Sequence, residues 1–309
     1  MSTAPTTTVV AEKKPYQQPF SHKFIAGGVA GVSEILVMYP LDVVKTRAQL
    51  NAAPGQSIPI WSTMTTIVKN DGFSRLYRGI APPILMEAPK RAVKFAANST
   101  YTKHLQDENG KLTQTNAIIA GMAAGVTEAF VVVPFELVKI RLQAKENIGV
   151  YKNATDCLKK IIQTEGPLAL YKGLEATIWR NAAWNGGYFG LIHYVTGLFP
   201  KPQSDSQALM RDFIAGALAG TFGTMLNTPY DTAKTRIQNQ DVALKPGEPR
   251  KYTWTIPSLK TIYQEEGAMA LYKGFVPKVL RLGPGGGILL VVFKQVSKFL
   301  EEMDTKKSA

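Results

Sequence analysis

"PLDVVKTR", residues 40–47, interrupts an apolar stretch that begins at Phe24 and would otherwise continue as one helix. A proline inside a helix removes a backbone hydrogen bond and bends the axis, and charged side chains in an apolar segment are costly. Both costs recur. "PFELVKIR" at 134–141 and "PYDTAKTR" at 229–236 follow at separations of 94 and 95 residues. Each copy holds Pro, an acid two positions on, Lys three later, Arg two later, and then Gln49, Gln143 or Gln238 two later again. Five fixed positions, three times over at a near-constant period, define an internal repeat.

A second pattern follows each copy: "DGFSRLYRG" at 71–79, "EGPLALYKG" at 165–173 and "EGAMALYKG" at 266–274. Upstream, Gly27/Gly31, Gly121/Gly125 and Gly216/Gly220 form small-xxx-small pairs, a spacing that lets membrane helices approach closely. Each unit predicts a long helix running past the first motif, a loop with a short amphipathic helix, and a second long helix from the Tyr-base-Gly. The chain reads as an all-α membrane protein with six transmembrane helices. Its repeats span 21–112, 113–207 and 208–302, between a disordered arm (1–20) and a C-terminal tail (303–309).

Composition narrows the classes. Among 309 residues, 45% are hydrophobic and only 19% charged, which is charge-poor for a soluble domain. The net charge of +13 would also suit a nucleic-acid binder. Residues 181–200 and 213–230 contain no Asp, Glu, Lys or Arg, however, so a membrane protein with a polar interior is preferred and no nucleic acid partner is expected. A soluble helical solenoid would keep its glycines at turns, whereas these fall inside apolar stretches. Cys157 stands alone, which excludes an intramolecular disulfide framework. Residues 1–20 lack both a secretory core and an arginine-rich amphipathic pattern, so any organelle address is internal. The loop "GPGGG" at 283–287 is not followed by Gly-Lys-Ser/Thr, which argues against a nucleotide enzyme. Transport rather than catalysis is expected, with no metal.

Lys and Arg concentrate in the repeat loops, with five between Asp42 and Arg78 and seven in each of the other two, against two each in 103–111 and 201–212. The loops should therefore face the positive-inside compartment and both termini the other side. Offsets of 94 and 101 align the second helices in threes. The triplet at mid-membrane depth is Met86, Arg180 and Arg281; beside it fall Glu87, Asn181 and Leu282, then Lys90, Trp184 and Gly285. Arg91 and Lys94 continue the cationic side of the first unit, where the other units hold neutral residues. Arginines offer a planar fork suited to carboxylates, so an anion with two charged ends is the expected ligand. Glu87 could partner Lys90, Arg91 or Arg180 in the empty site. Snorkelling to headgroups is the plainer alternative for the two arginines. Glu34 and Glu128 match in position, with Gly223 in the third unit; they either line the cavity or are buried against a neighbouring helix.

The paired motifs resemble the mitochondrial carrier family over residues 20–300. That resemblance implies three pseudo-threefold repeats around a water-filled cavity, three short matrix helices, and alternating access to one central site in the inner membrane, with termini in the intermembrane space. It implies a matrix gate linking Asp42 to Lys139, Glu136 to Lys234 and Asp231 to Lys45, braced by Gln49, Gln143 and Gln238, with kinks at Pro40, Pro134 and Pro229. The bland alternative for Asp42 and Lys45 is an intrahelical pair. It implies substrate contacts at Arg180, Arg281, Glu87, Lys90, Arg91, Lys94 and Asn181, no cofactor, and cardiolipin held at Gly79, Gly173 and Gly274. The family's cytosolic acid and base positions align with Ser99, His193 and Lys294 and with Thr102, Thr196 and Ser297, so closure on that side would rest on packing and hydrogen bonds. Locally, "MEAPKRAVKF" (86–95) and "RLGPGGGILLVVF" (281–293) resemble the branch that exchanges 2-oxoadipate and 2-oxoglutarate; the alternative cargo is citrate or malate. A monomer carrying a small dicarboxylate, partnered by lipid, is the resulting expectation.

Overall fold

A computed structural model describes residues 19–50, 59–107, 110, 113–200, 204–242 and 248–308. Six long helices are α1 (Phe20–Leu50), α3 (Ala81–Leu105), α4 (Gln114–Gln143), α6 (Leu174–Leu198), α7 (Asp205–Asn239) and α9 (Phe275–Ser308); three short ones are α2 (Ile60–Asp71), α5 (Ala154–Glu165) and α8 (Thr255–Glu266). Each short helix is followed by a 3-10 turn that ends at the motif tyrosine, Tyr77, Tyr171 or Tyr272. The expected arm lies outside the described residues up to position 18, and α1 already begins at Phe20. At the other end α9 continues to Ser308, through the stretch read as a tail and through "GPGGG", which is helix and not loop.

The long helices form a ring in the order α1, α3, α4, α6, α7, α9. Its extensive contacts are α3 with α4, α6 with α7, and α9 with α1, so the close pairs bridge successive repeats and helices of one repeat touch more sparingly. At 25–35 residues and about 1.5 Å per residue, every long helix exceeds a hydrocarbon core of about 30 Å. Three segments, Ser21–Leu50, Ile119–Gln143 and Ala268–Asp304, are also apolar enough to cross a membrane on composition. The other three fall short because much of each is polar: α3 carries Glu87, Lys90, Arg91 and Lys94, α6 carries Arg180 and Asn181, and α7 is charged at both ends. A helix lining a polar cavity needs an apolar surface on its outer face only.

Pro40, Pro134 and Pro229 lie within unbroken helices. Each short helix then folds back beneath its long one. In the second repeat, Leu137, Val138 and Leu142 of α4 bury Cys157 and Ile161 of α5 together with Tyr151 and Ala169. The first and third repeats build the same cluster around Ile67 and Ile262, which share the register of Ile161. The turn from short to long helix passes through Gly79, Gly173 and Gly274, all at φ near +80°. That backbone favours glycine, and space demands it too: a Cβ would meet Leu142 at 3.0 Å from Gly79, Gln238 at 3.0 Å from Gly173, and Gln49 and Lys45 at 3.1 Å from Gly274.

The small-xxx-small pairs are not equivalent. A Cβ on Gly31 would strike Glu87 Oε1 at 2.2 Å, whereas Gly121 and Gly125 face open space. The tightest helix approach lies elsewhere. A Cβ on Gly187 of α6 would stand 2.9 Å from the Gly223 Cα of α7, and one on Gly223 would stand 2.9 Å from the Trp184 carbonyl oxygen. Close approach follows the seam between repeats, so a glycine spacing repeated within each unit did not locate it.

Candidate binding site and gate

Immediately past each proline, α1, α4 and α7 turn one acid and one lysine toward one another. Lys139 Nζ meets Asp42 Oδ2 at 2.7 Å, Lys45 Nζ meets Asp231 Oδ2 at 2.6 Å, and Lys234 bonds Glu136. The ion pairs thus join α1 to α4, α7 to α1 and α4 to α7, a closed triangle of all three repeats. The intrahelical Asp42–Lys45 alternative is not what forms. Three positions apart, the acid and the lysine of one motif share one face of their helix, and each bonds the neighbouring helix on its own side.

The three glutamines behave differently. Gln49 donates to Asp231 Oδ2 at 3.0 Å and accepts from Thr235 at 2.8 Å, beneath the Lys45 pair. Gln143 accepts instead from Thr46 Oγ1 at 2.7 Å, and Gln238 donates to the Lys172 carbonyl at 3.0 Å. Of the three expected braces, one touches its ion pair. Gln238 is diverted because Gly173 brings the chain of the preceding repeat against its side chain.

A link that the sequence reading missed ties the two motifs together. The motif arginine of each repeat bonds the acid of its own acid-Gly: Arg47 to Asp71, Arg141 to Glu165 and Arg236 to Glu266. The signal was available, since both residues recur in every unit. Arg141 and Arg236 also donate Nε to the Gln238 and Gln49 carbonyls of the next repeat, at 3.1 and 3.0 Å. Burial pushes the Glu165 carboxyl up, but its hydrogen bonds from Arg141 and Lys172 hold it below the usual carboxylate range. Glu266 is lowered the same way by Arg236 and Lys273.

The candidate substrate cations stand directly above the triangle and share its carboxylates. Arg180 Nη1 lies 3.1 Å from Glu136 Oε1 and 3.6 Å from Asp231 Oδ1, and its Nη2 donates to Asn181 Oδ1 at 3.1 Å. Arg281 places Nη1 at 2.5 Å from Asp42 Oδ1 and Nε and Nη2 at 3.1 and 2.8 Å from Glu34 Oε1. Both arginines therefore point inward, and snorkelling is excluded. Glu34 fits because Gly285 leaves room; a Cβ there would come within 3.2 Å of its Oε1. A further cation was missed altogether. Lys278, one turn before Arg281, bonds Asn227 and lies 3.4 Å from Asp231 Oδ2.

The first repeat is arranged otherwise. Arg91 Nε and Glu87 Oε1 pair at 2.7 Å, packed on Gly31 of α1, so two of the expected contact residues satisfy each other. Lys94 is exposed, 3.9 Å from Glu128 of α4. Met86 is buried. Lys90 is half-buried, and no hydrogen-bond or ion-pair partner for it exists among the described residues. At the opposite end from the triangle, Thr196 bonds the Ile192 carbonyl of its own helix. None of Ser99, Thr102, Lys294 and Ser297 bonds another repeat among the described residues, and the His193 side chain lies outside them. Among the described residues the three-way ion-pair closure lies at the motif end, and the opposite end holds pairwise links between adjacent helices, such as Asn116 to the Leu105 carbonyl and His22 to Asp304.

The short helices differ at their N-termini. Asn153 caps α5 by accepting from the Asp156 amide at 2.8 Å. At α8 the carboxylate of Glu175, from the preceding repeat, accepts the Thr255 amide at 3.0 Å and its hydroxyl. Gly173 thus opens onto a helix start that already holds an anion.

Three helix-pair repeats, a ring of six long helices and a triangle of inter-repeat ion pairs below a polar chamber define a membrane transport protein. The chain belongs to the mitochondrial carrier family: the family model for mitochondrial carrier protein matches residues 16–109, 110–203 and 205–304. It is 60% identical over 285 residues to a probable mitochondrial 2-oxodicarboxylate carrier of Dictyostelium discoideum, covering 92% of both chains. It is 52% identical to mitochondrial 2-oxodicarboxylate carrier 2 of Saccharomyces cerevisiae, over 92% of this chain and 95% of that one. Similarity to mitochondrial citrate transporter D of Aspergillus niger is 56%, over 92% and 96%.

Proposed function

We propose that the protein exchanges 2-oxodicarboxylates, 2-oxoadipate and 2-oxoglutarate among them, across the mitochondrial inner membrane by alternating access. The observation that carries this is the sharing of gate carboxylates: Asp42 and Glu136 each accept from a gate lysine on one oxygen and from a chamber arginine on the other. An anion that engages Arg180 or Arg281 competes for the same guanidinium groups and so weakens the closed triangle from above. Binding and opening become one event, because a ligand drives a change only through its differential affinity for the two states. Desolvation of these buried ion pairs offsets much of their attraction, which suits a gate that opens every cycle. Two dianions crossing in opposite directions move no net charge.

Arg180, Asn181, Arg281 and Lys90 are the groups we expect a substrate to meet; Glu87, Arg91 and Lys94 shape the wall beside them. The basic loops argue for the matrix as the closed side and the intermembrane space for the termini. Helix starts at Gly79, Gly173 and Gly274 suit anionic headgroups such as cardiolipin, with Glu175 as competitor at the second. We read the working unit as a monomer, since one chain encloses the chamber. The test is uptake of labelled 2-oxoglutarate by proteoliposomes loaded with 2-oxoadipate or 2-oxoglutarate, and none by empty ones. The similarity to a protein named as a citrate transporter keeps citrate as the second cargo, and a panel that showed citrate exchange without oxodicarboxylate exchange would reverse the assignment.

A further inference from the structure

The charges of the gate and chamber fall into two connected groups. In the first, Arg281 and Lys139 are matched one for one by Glu34 and Asp42. In the second, four cations, Lys45, Lys234, Lys278 and Arg180, share two carboxylates, Glu136 and Asp231. Two positive charges are left over in these groups, both in the second, and Lys90, half-buried with no partner among the described residues, adds a third on the wall of the first repeat. Asp231 is the crowded member, with Lys45 at 2.6 Å, Lys278 at 3.4 Å and Arg180 at 3.6 Å around a carboxylate that is only 2% exposed.

The excess has an identifiable source. The gate triangle carries three acids and three lysines, one of each per repeat, and Arg281 brings its own counter-ion in Glu34. Arg180 has no such glutamate, because the third unit holds Gly223 where the first has Glu34. Lys278 has no counterpart at all: the matching residues of the other units are Pro83 and Thr177. Its ammonium is held by Asn227, Thr228 and Asp231, and Asp231 already belongs to Lys45.

While the chamber is open, water and counter-ions tolerate the unmatched charges. When a cycle closes the chamber on both sides, desolvation makes each remaining charge costly. Of the three positive charges a dianion would leave one and a monoanion two, so the cargo's second carboxylate removes one unmatched charge. We propose that Lys278 is a specificity-determining residue that favours a doubly over a singly charged cargo, with Arg180 and Lys278, and not Arg281, supplying the charge the second carboxylate neutralises. The proposal rests on the exchange reading above and deepens it.

The experiment compares 2-oxoglutarate with 2-oxopentanoate, which keeps the 2-oxo acid end and lacks the distal carboxylate, in proteoliposome exchange. Lys278→Gln lowers the excess by one, so its preference for the dicarboxylate should drop about tenfold or more, the scale of one charge-assisted hydrogen bond. Lys278→Arg should restore the preference. Asn181→Asp adds one negative charge beside Arg180 without touching Lys278, so the net excess again falls by one and the ratio should shift in the same direction; it carries the test if Lys278→Gln does not fold. A wild-type ratio in Lys278→Gln, or in Asn181→Asp where only that variant folds, overturns the proposal, because loss of structure alone would slow both substrates together. Wild-type protein that exchanges no oxodicarboxylate would instead overturn the exchange reading on which it rests.

Discussion

Arg281 of α9 and Asp42 of α1 meet at 2.5 Å, on the carboxylate oxygen opposite the one that takes Lys139. One acid therefore serves the chamber and the gate. Arg281→Ala should cut exchange by roughly tenfold to a hundredfold, the scale of one lost charge-assisted hydrogen bond. Because Arg281 is already matched by Glu34 and Asp42, the loss should fall on the maximal rate more than on apparent affinity. Arg180→Ala should raise the half-saturating concentration. Initial rates over a substrate series separate the two, and equal effects on affinity would contradict the assignment.

Charge reversal should not rescue the gate. In a simple pair, Glu136→Lys with Lys234→Glu would rebuild the bridge, but residue 136 also faces Arg180. The double variant leaves two cations together where Glu136→Lys alone leaves three, so it should melt above that single variant but well below wild type in detergent. A double variant as stable as wild type would show that Arg180 leaves Glu136 easily.

Burial pushes the Cys157 thiol up to about 12, within the cluster of Leu137, Ile161 and Ala169. A thiol that stays protonated and inaccessible is a poor nucleophile. Maleimide should not label the folded protein at neutral pH and should label it stoichiometrically once heating releases α5 from α4. Rapid labelling below the melting temperature would place the short helix away from this cluster.

Acid should loosen the loops that follow the proline motifs. The Glu165 and Glu266 carboxyls lie below their ordinary value, so their contribution to stability is complete above an unfolded pKa of about 4.3 and is lost as pH falls through the folded value. Melting temperature should drop on acidification below that range. In the double variant Glu165→Gln, Glu266→Gln it should start lower and fall less.

Gly223→Ala should separate α6 from α7, since its Cβ would meet backbone and not a movable side-chain tip. A cost of about 1–3 kcal/mol is expected from such overpacking, read as a lower melting temperature. Gly125→Ala, which meets nothing, should be neutral by the same measurement.

Much of this was legible because repetition carries it. Three motif copies carried the helix count and the short helices, whereas the choice of Lys139 over Lys45 for Asp42 came from the resemblance to the mitochondrial carrier family and not from the repeat itself. What repetition could not supply were the contacts at which the repeats differ. Lys278 aligns with Pro83 and Thr177, and no triplet comparison centred on Arg281 reached one turn further. Glu87 leaves Lys90, Arg91 and Arg180 open as partners in the sequence, and the i, i+4 pair with Arg91, packed against Gly31, is the one that forms. Gln143 and Gln238 occupy the brace position yet bond elsewhere, because side-chain partners are decided by the last ångström of packing between repeats.

The packing of α1 against α9 gives the ring no weak point where the chain begins and ends. His22 and Asp304, near opposite ends of the polypeptide, stand 3.5 Å apart. Covalent order is thus nearly irrelevant to the architecture. A circular permutant that joins the two ends and opens inside a repeat keeps all three close helix pairs on continuous or adjacent chain. A cut between repeats separates α3 from α4 or α6 from α7, the contacts that hold most firmly. The unit that evolution copied and the unit that packs are offset by one helix.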